Sequence, residues 1–268
     1  MMKKRMIVSL LSMLVGTMLL AGCASTGKTP SAASGDGKES GQVKAFHFAM
    51  SGLYKPFNYK ENGNLVGFDV EFGSELAKKM GIKAEPVTNP WETIIPGLLS
   101  KKYDAILGSM AITPERQKTV NFTTPYYRSG AQIFVAKTNE TIKSAADLKG
   151  KKIGVLKASL FKSLAAERTD AGNITEYDSD LTALLDLPTG RVDAVITDDL
   201  VGFRMIKESA TAIKAVGEPL TMQEMGIAVR KEDQALLEQL NKAIEEMVKD
   251  GTYDKLSEKW FGRNILQK

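Results

Sequence analysis

From residue 43 onward, short apolar runs alternate with longer stretches in which apolar residues recur every three or four positions. The short runs predict strands and the longer stretches predict helices. In the first block, strands are predicted over residues 43–50, 105–107 and 132–135, and a helix over 69–80. A second block repeats this order, with a helical turn at 145–148, strands at 152–156, 194–197 and 225–229, and helices from about 160 and over 233–250. Such alternation predicts an α/β fold with largely parallel sheets.

Two of these helices have a clear apolar face. In the helix over 69–80, Val70, Ala77 and Met80 fall on one side and Gly81 follows the last turn, where a left-handed residue commonly ends a helix. In the last helix, the apolar face consists of Leu237, Leu240, Ile244 and Met247, and Gly251 follows. Both helices are therefore expected to cover a sheet.

The first 42 residues have a different pattern. Lys3, Lys4 and Arg5 precede an apolar run over 6–20, which is typical of a signal peptide. The run closes on Leu-Ala-Gly-Cys, which resembles a bacterial lipobox, and Cys23 is the only cysteine. We expect a signal peptide over 1–22, a lipidated Cys23 with a flexible linker over 23–42, and attachment through that lipid anchor to the outer face of the cell membrane.

Charge and composition exclude some functions. The net charge is +4, and a signal peptide would remove three of the lysines and arginines that produce it. No basic stripe interleaved with aromatics is present, so a nucleic-acid partner is not expected. His47 is the only histidine, and with the one cysteine lipidated, neither a metal site nor a cofactor is expected.

Nine segments in a fixed order resemble the extracellular solute-binding proteins, family 3, which supply polar amino acids to ABC importers. The resemblance covers residues 46–261. The segments are YKPF at 54–57, GNLVGFDVE at 63–71, WETIIP at 91–96, YD at 103–104, ITPER at 112–116, NFTTPYY at 121–127, DLKG at 147–150, GRVDAVITD at 190–198 and EKWFG at 258–262.

The resemblance implies a type II periplasmic-binding-protein fold in which two lobes, each a mixed and mostly parallel sheet, are joined by two crossing strands. Lobe 1 would comprise 43–135 and 226–268, and lobe 2 would comprise 136–225. A monomer would capture a polar amino acid between the lobes and deliver it to an ABC permease and its ATPase. A ligand-sensing lipoprotein is an alternative, and a dehydratase-type enzyme is a further one, although no serine–histidine set or carboxylate pair has a clear catalytic placement.

One arginine suits the carboxylate of such a ligand. Thr113 is predicted to cap a short helix with Pro114 at its first position, which places Arg116 in the first turn. Its planar guanidinium can hold a carboxylate through two hydrogen bonds. The alternative is a surface ion pair with Glu115.

The remaining site residues follow from the resemblance. Asp198 would bind the ammonium group, although either Asp198 or Asp199 could instead cap the following helix. Gly108 and Ser109 would complete that side. Across the cleft, Ser159 and Leu160 would contact the carboxylate, although Ala158 stands where relatives have glycine. Ala111 replaces a hydroxyl residue of relatives, so one contact is expected to be missing.

The contacts to the ligand's side chain are predicted less specifically. Tyr54 and Trp91 would sandwich it, with core packing as the alternative. Relatives that prefer cationic ligands often have an acid where this chain has Ser51. A cationic ligand would then need Glu92 or another acid.

Overall fold

The computed structural model describes residues 45–209 and 212–266. The predicted signal peptide, Cys23 and the linker lie outside the described residues, as do the first two residues of the strand predicted at 43–50. No stretch of the described chain forms a helix long and apolar enough to cross a membrane.

Strands and helices alternate along the chain. The strands are β1 (Ala45–Met50), β2 (Leu53–Tyr54), β3 (Asn58–Glu61), β4 (Asn64–Val66), β5 (Lys83–Thr88), β6 (Ala105–Ala111), β7 (Val120–Phe122), β8 (Tyr127–Ala136), β9 (Ile153–Leu156), β10 (Ile174–Tyr177), β11 (Ala194–Asp198) and β12 (Ile213–Arg230). The helices are α1 (Phe68–Lys79), α2 (Ile94–Leu99), α3 (Pro114–Gln117), α4 (Leu160–Ala166), α5 (Asp180–Asp186), α6 (Asp199–Ser209), α7 (Gln234–Lys249) and α8 (Thr252–Phe261), with 3₁₀ turns at Trp91–Thr93, Ala145–Leu148 and Ala171–Asn173.

Within the described residues, nine strands form one sheet. Its order is β10-β9-β11-β8-β12-β6-β1-β5, with β7 also paired to β12, while β2, β3 and β4 form a small separate sheet. At one flank β1 pairs in parallel with β5 and β6, and at the other β9 pairs in parallel with β10 and β11. The predicted α/β class with parallel strands is therefore confirmed.

The two flanks are joined by the long strands β8 and β12, which are antiparallel to each other and to their neighbours. Their mutual register shifts between Val216 and Thr221. Strand β8 pairs with β11 from Ala131 to Phe134. The boundaries predicted for two lobes stay a prediction, with β8 and β12 as the natural crossing strands.

The helices follow the predicted apolar faces. Helix α7 buries Leu236, Leu240, Ala243, Ile244 and Met247, whereas Leu237, predicted on this face, is only partly buried. Helix α1 buries Phe68, Phe72 and Leu76 as well as Ala77, while Val70 and Met80 are partly buried against the same core. Gly81 and Gly251 follow these helices with φ of +70° and +78°, as predicted for residues that end a helix in the left-handed region.

Candidate functional site

A cavity lies between the two flanks of the sheet. Its wall contains nine of the ten residues predicted to bind ligand: Ser51, Tyr54, Trp91, Gly108, Ser109, Ala111, Arg116, Ser159 and Leu160. The sequence did not predict the other lining residues, which are Leu53, Leu156, Phe161, Asp178, Ser179, Asp180, Gln223 and Met225. Residues more than a hundred positions apart therefore converge on one space.

Arg116 is held in this wall by the turn that the sequence predicted. Thr113 Oγ1 accepts from the main-chain N–H of Arg116 at 3.2 Å, and Pro114 begins α3. The guanidinium Nη1 donates to the carbonyl of Ala111 at 2.9 Å, which aims the side chain back towards the end of β6. Ala111 offers no side-chain donor to a carboxylate, and its carbonyl instead orients the arginine.

The guanidinium of Arg116 has no acidic partner within ion-pair distance among the described residues. Glu115, the alternative partner, is bonded to Lys118 instead, with Oε2 2.5 Å from the lysine Nζ. Burial lowers the pKa of Arg116 to about 10, which is the direction expected when a cation loses water without gaining an anion. The site therefore offers a positive charge that an anionic ligand can neutralise.

Two aromatic side chains form the walls beside the arginine. The guanidinium carbon of Arg116 lies 5.6 Å from the ring centroid of Trp91, which is within the range of a cation–π contact. Tyr54 stacks on Phe57 with ring centroids 5.4 Å apart. Both rings are only partly buried and border the cavity, so core packing alone does not describe them.

Ser109 is positioned by a buried polar network. Its φ is +59°, in the left-handed region, and its main-chain N–H donates to the Tyr126 hydroxyl at 2.9 Å. Its hydroxyl donates to Asp69 Oδ2 at 3.0 Å, and Tyr126 donates to Asp69 Oδ1 at 2.8 Å. The Ser109 hydroxyl proton is therefore used within the protein, which leaves its oxygen as an acceptor towards the cavity.

On the opposite wall, Ser159 is also engaged internally. Its hydroxyl donates to the carbonyl of Leu156 at 2.6 Å, and Leu160 begins α4. Ala158 has a φ of +52°, the conformation that the expected glycine would adopt without strain. The main-chain N–H groups of the first turn of α4 are the remaining donors on this side.

Ser51 and Glu92 provide no acid for a cationic ligand. The Ser51 hydroxyl donates to Asn58 Oδ1 at 3.1 Å and accepts from the N–H of Leu53 at 3.2 Å. Glu92 is exposed and does not line the cavity.

Asp198 lies outside the cavity wall and is fully buried. Its Oδ2 accepts from the Ser129 hydroxyl, and its Oδ1 accepts from the N–H of Leu200 at 2.9 Å. It thus occupies the helix-capping position that the sequence left open between Asp198 and Asp199. Burial, followed by the adjacent charge of Asp199, raises the pKa of Asp198 to about 8.

Among the described residues, the buried acid that the structure places in the wall is Asp180, at the start of α5. Only 2% of its surface is exposed, and its Oδ1 accepts from the Thr197 hydroxyl at 2.5 Å. The sequence signal for it is the capping residue Ser179, whose hydroxyl accepts from the N–H of Leu181 at 3.2 Å ahead of an apolar run. Recognising that cap would have predicted α5.

The charges around the cavity have a clear arrangement. Arg116 supplies a cation at one side. At Tyr54, burial raises the pKa of the hydroxyl well above its usual value, and the charges of Asp198, Asp180 and Asp69 raise it further. Aspartates therefore surround Tyr54. Such a cavity suits a small molecule that carries both a carboxylate and a positive group.

Comparisons with known proteins agree with this geometry. The profile of the bacterial extracellular solute-binding proteins, family 3, matches residues 46–263. The L-cystine-binding protein TcyJ of Escherichia coli strain K12 is 40% identical over 81% of this chain and 83% of its own length. The ABC transporter arginine-binding protein 1 of the same strain is 37% identical over 82% of this chain and 91% of its own length.

Among solved structures, an ancestral arginine-binding protein bound to arginine superposes with a TM-score of 0.78. It is 42% identical and covers 82% of this chain and 100% of the other. The chain belongs to family 3 of the bacterial extracellular solute-binding proteins, and its fold is that of the type II periplasmic binding proteins.

Proposed function

We propose that the protein is the substrate-binding component of an ABC importer and captures a polar amino acid in the cavity between the two flanks of its sheet. The nine predicted residues in the cavity wall are its proposed ligand contacts. The relatives named above, with cystine and arginine in their names, support an amino-acid ligand. The proposed role is binding, without chemical conversion of the ligand.

The observation that carries this proposal is the unpaired, largely buried guanidinium of Arg116 in the cavity wall. A buried charge without a partner is costly, and an arriving carboxylate removes that cost through two parallel hydrogen bonds. The Trp91 ring and the Ala111 carbonyl already hold the guanidinium in place, so little side-chain freedom is lost on binding.

The ammonium group of the ligand would be attracted to the negative charges around Tyr54. Asp198 remains the proposed partner for this group, because its charge acts on the Tyr54 hydroxyl that borders the cavity. The hydroxyl oxygen of Ser109 offers a further acceptor on this side.

Binding is proposed to favour a closed arrangement of two lobes with the predicted boundaries, joined by β8 and β12. Lys55, which follows β2, forms an ion pair with Glu208 of α6, with Nζ and Oε2 2.9 Å apart. Arg204 of α6 donates to the carbonyl of Trp260 in α8 at 2.8 Å. These contacts join the two proposed lobes, and the closed form would then be presented to the permease and its ATPase.

Lipidation of Cys23 would keep this monomer at the outer face of the membrane.

A melting-temperature screen of the full chain against the common amino acids tests the proposal. A ligand that binds only the folded state raises stability by about 2.7 kcal/mol at a concentration one hundred times its dissociation constant. We expect at least one polar amino acid to raise the melting temperature, and its decarboxylated amine to have no effect. If no amino acid raises it, the proposed function is wrong.

A further inference from the structure

Asp180 has the most unusual bonding of the acids in the cavity wall. Its Oδ1 accepts from Thr197, but within the part of the chain that the structure describes its Oδ2 is buried and has no hydrogen-bond partner. No lysine or arginine of the described residues forms an ion pair with it. A buried carboxylate oxygen without a donor is strongly unfavourable, so this atom is suited to a positive group from outside the chain.

The cations near Asp180 are engaged elsewhere. A second cavity shares Leu53, Tyr54 and Asp180 with the first and also contains Lys55, Arg204 and Glu208. Lys55 Nζ lies 2.9 Å from Glu208 Oε2, and Arg204 Nε donates to Glu208 Oε1 at 2.7 Å. Among the described residues, neither cation forms an ion pair with Asp180.

The neighbouring cavities indicate that Asp180 and Arg116 lie in different parts of the first cavity's wall. Asp180 borders the second cavity, to which neither Arg116 nor Ala111 contributes. Ala111, whose carbonyl holds the Arg116 guanidinium, borders a third cavity together with Leu160 and Gln223, and Asp180 does not line that one. The unpaired cation and the unpaired anion are thus separated along the cavity.

We propose that Asp180 binds the positively charged end of the ligand's side chain, an ammonium or guanidinium group, while Arg116 holds the α-carboxylate. This inference rests on the proposed function and narrows its ligand to a basic amino acid. The α-ammonium shares one carbon atom with the carboxylate and keeps Asp198 as its proposed partner. Leu160 and the rings of Trp91 and Tyr54 line the cavity and suit an aliphatic stem. Asp180 then supplies the acid that is missing at Ser51 and Glu92.

The test compares arginine with citrulline, its neutral isostere, by calorimetry on the full chain. Both ligands have the same α-carboxylate, α-ammonium and stem, so their affinity ratio reports on the side-chain charge alone. We expect wild-type protein to prefer arginine by on the order of 10- to 100-fold. Asp180→Asn, which is nearly isosteric, is expected to lose most of this preference and to retain its affinity for citrulline within about threefold.

Glu176→Gln is the matched charge control. Glu176 lies outside the cavity wall, is exposed and is paired with Lys162, with Oε1 2.8 Å from the lysine Nζ. This variant should change the preference for arginine over citrulline by no more than about twofold, because an exposed pair contributes little.

Three results would overturn the inference while leaving the proposed function intact. The first is equal binding of arginine and citrulline by the wild type, and the second is tight binding of neutral amino acids alone. The third is an equal loss for both ligands in Asp180→Asn, which would assign Asp180 to the α-ammonium. The wild-type ratio needs no variant, so the inference stays falsifiable even if Asp180→Asn fails to fold. Failure of the wild type to bind any amino acid would instead reject the proposed function.

Discussion

Asp180 and Asp198 are both almost completely buried acids, yet their surroundings differ in one decisive respect. Both oxygens of Asp198 accept hydrogen bonds, from Ser129 and Leu200, and the residue stands behind the cavity wall. Asp180 has one oxygen bonded to Thr197 and one without a partner among the described residues, and it is part of the wall. Burial alone therefore does not indicate which acid meets the ligand's side chain, whereas an unused acceptor at a cavity does.

The difference also appears in their protonation. Burial raises the pKa of Asp180 to about 6. Burial and the neighbouring charge of Asp199 raise that of Asp198 as well. The adjacent anion of Asp199 therefore makes a charge at Asp198 less favourable than it would be without that neighbour.

We propose that Arg116 holds the ligand's carboxylate. Substitution of Arg116 should therefore have the largest effect on binding affinity. We expect Arg116→Ala to weaken binding of any amino-acid ligand by about 2–5 kcal/mol in calorimetry, because a desolvated charge would lose its partner. Arg191→Ala, at an exposed arginine paired with Asp186, is the control and should leave the affinity unchanged. If Arg116→Ala bound amino acids with wild-type affinity, Arg116 would not hold the carboxylate. The roles proposed for Asp180 and Asp198 would then lose their basis.

Substitution of Asp198 sharpens the contrast with Asp180. Asp198→Asn is expected to weaken arginine and citrulline equally, by about 1 kcal/mol, because the α-ammonium that it would attract is common to both. Titration calorimetry with the two ligands measures this directly. Unchanged affinity for both would assign Asp198 to capping alone, and a selective loss of arginine would mean that Asp198, not Asp180, recognises the side chain.

Stability should also depend on pH through Asp198. Its pKa rises from 3.8 to about 8 on folding, so the folded state retains a proton that the unfolded state releases. Its contribution to stability is therefore fully present below about pH 4 and is lost as the pH rises towards 8. The melting temperature of Asp198→Asn relative to wild type should therefore increase by several degrees between pH 5 and pH 8. A difference that does not change with pH would show that Asp198 is already ionised in the folded protein.

The smallest effect is expected from the contact that joins the proposed lobes. Glu208→Gln removes the ion pairs to Lys55 and Arg204 and should weaken ligand binding by less than about 1 kcal/mol, through the closed form alone. Glu115→Gln, at an exposed ion pair with Lys118 outside the cavity, provides the control. An effect as large as that of Arg116→Ala would mean that closure, more than the carboxylate contact, determines affinity.

The sequence predicted the Arg116 side of the site well because that side depends on local chemistry. A threonine cap, a proline at the first helical position and an arginine two residues later determine a turn by themselves, and the structure has that turn. Likewise, the periodic apolar residues of α7 and the glycine after it predicted both the helix and its end.

The Asp180 side was missed because it depends on long-range contacts. Helix α5 has only seven residues, and the partner of Asp180, Thr197, lies on β11 beyond it. The position of Asp198 could not be resolved for the same reason, since Ser129 is 69 residues away in the chain. Which oxygen of an aspartate is left unbonded is a property of the packed structure and has no signature in a single sequence.

A crystal structure of the full chain with arginine tests the central claim most directly. The account predicts that both oxygens of the α-carboxylate lie within hydrogen-bond distance of the Arg116 guanidinium and that the ligand's own guanidinium contacts the free oxygen of Asp180. Arginine bound with its carboxylate away from Arg116, or bound outside this cavity, would contradict the account.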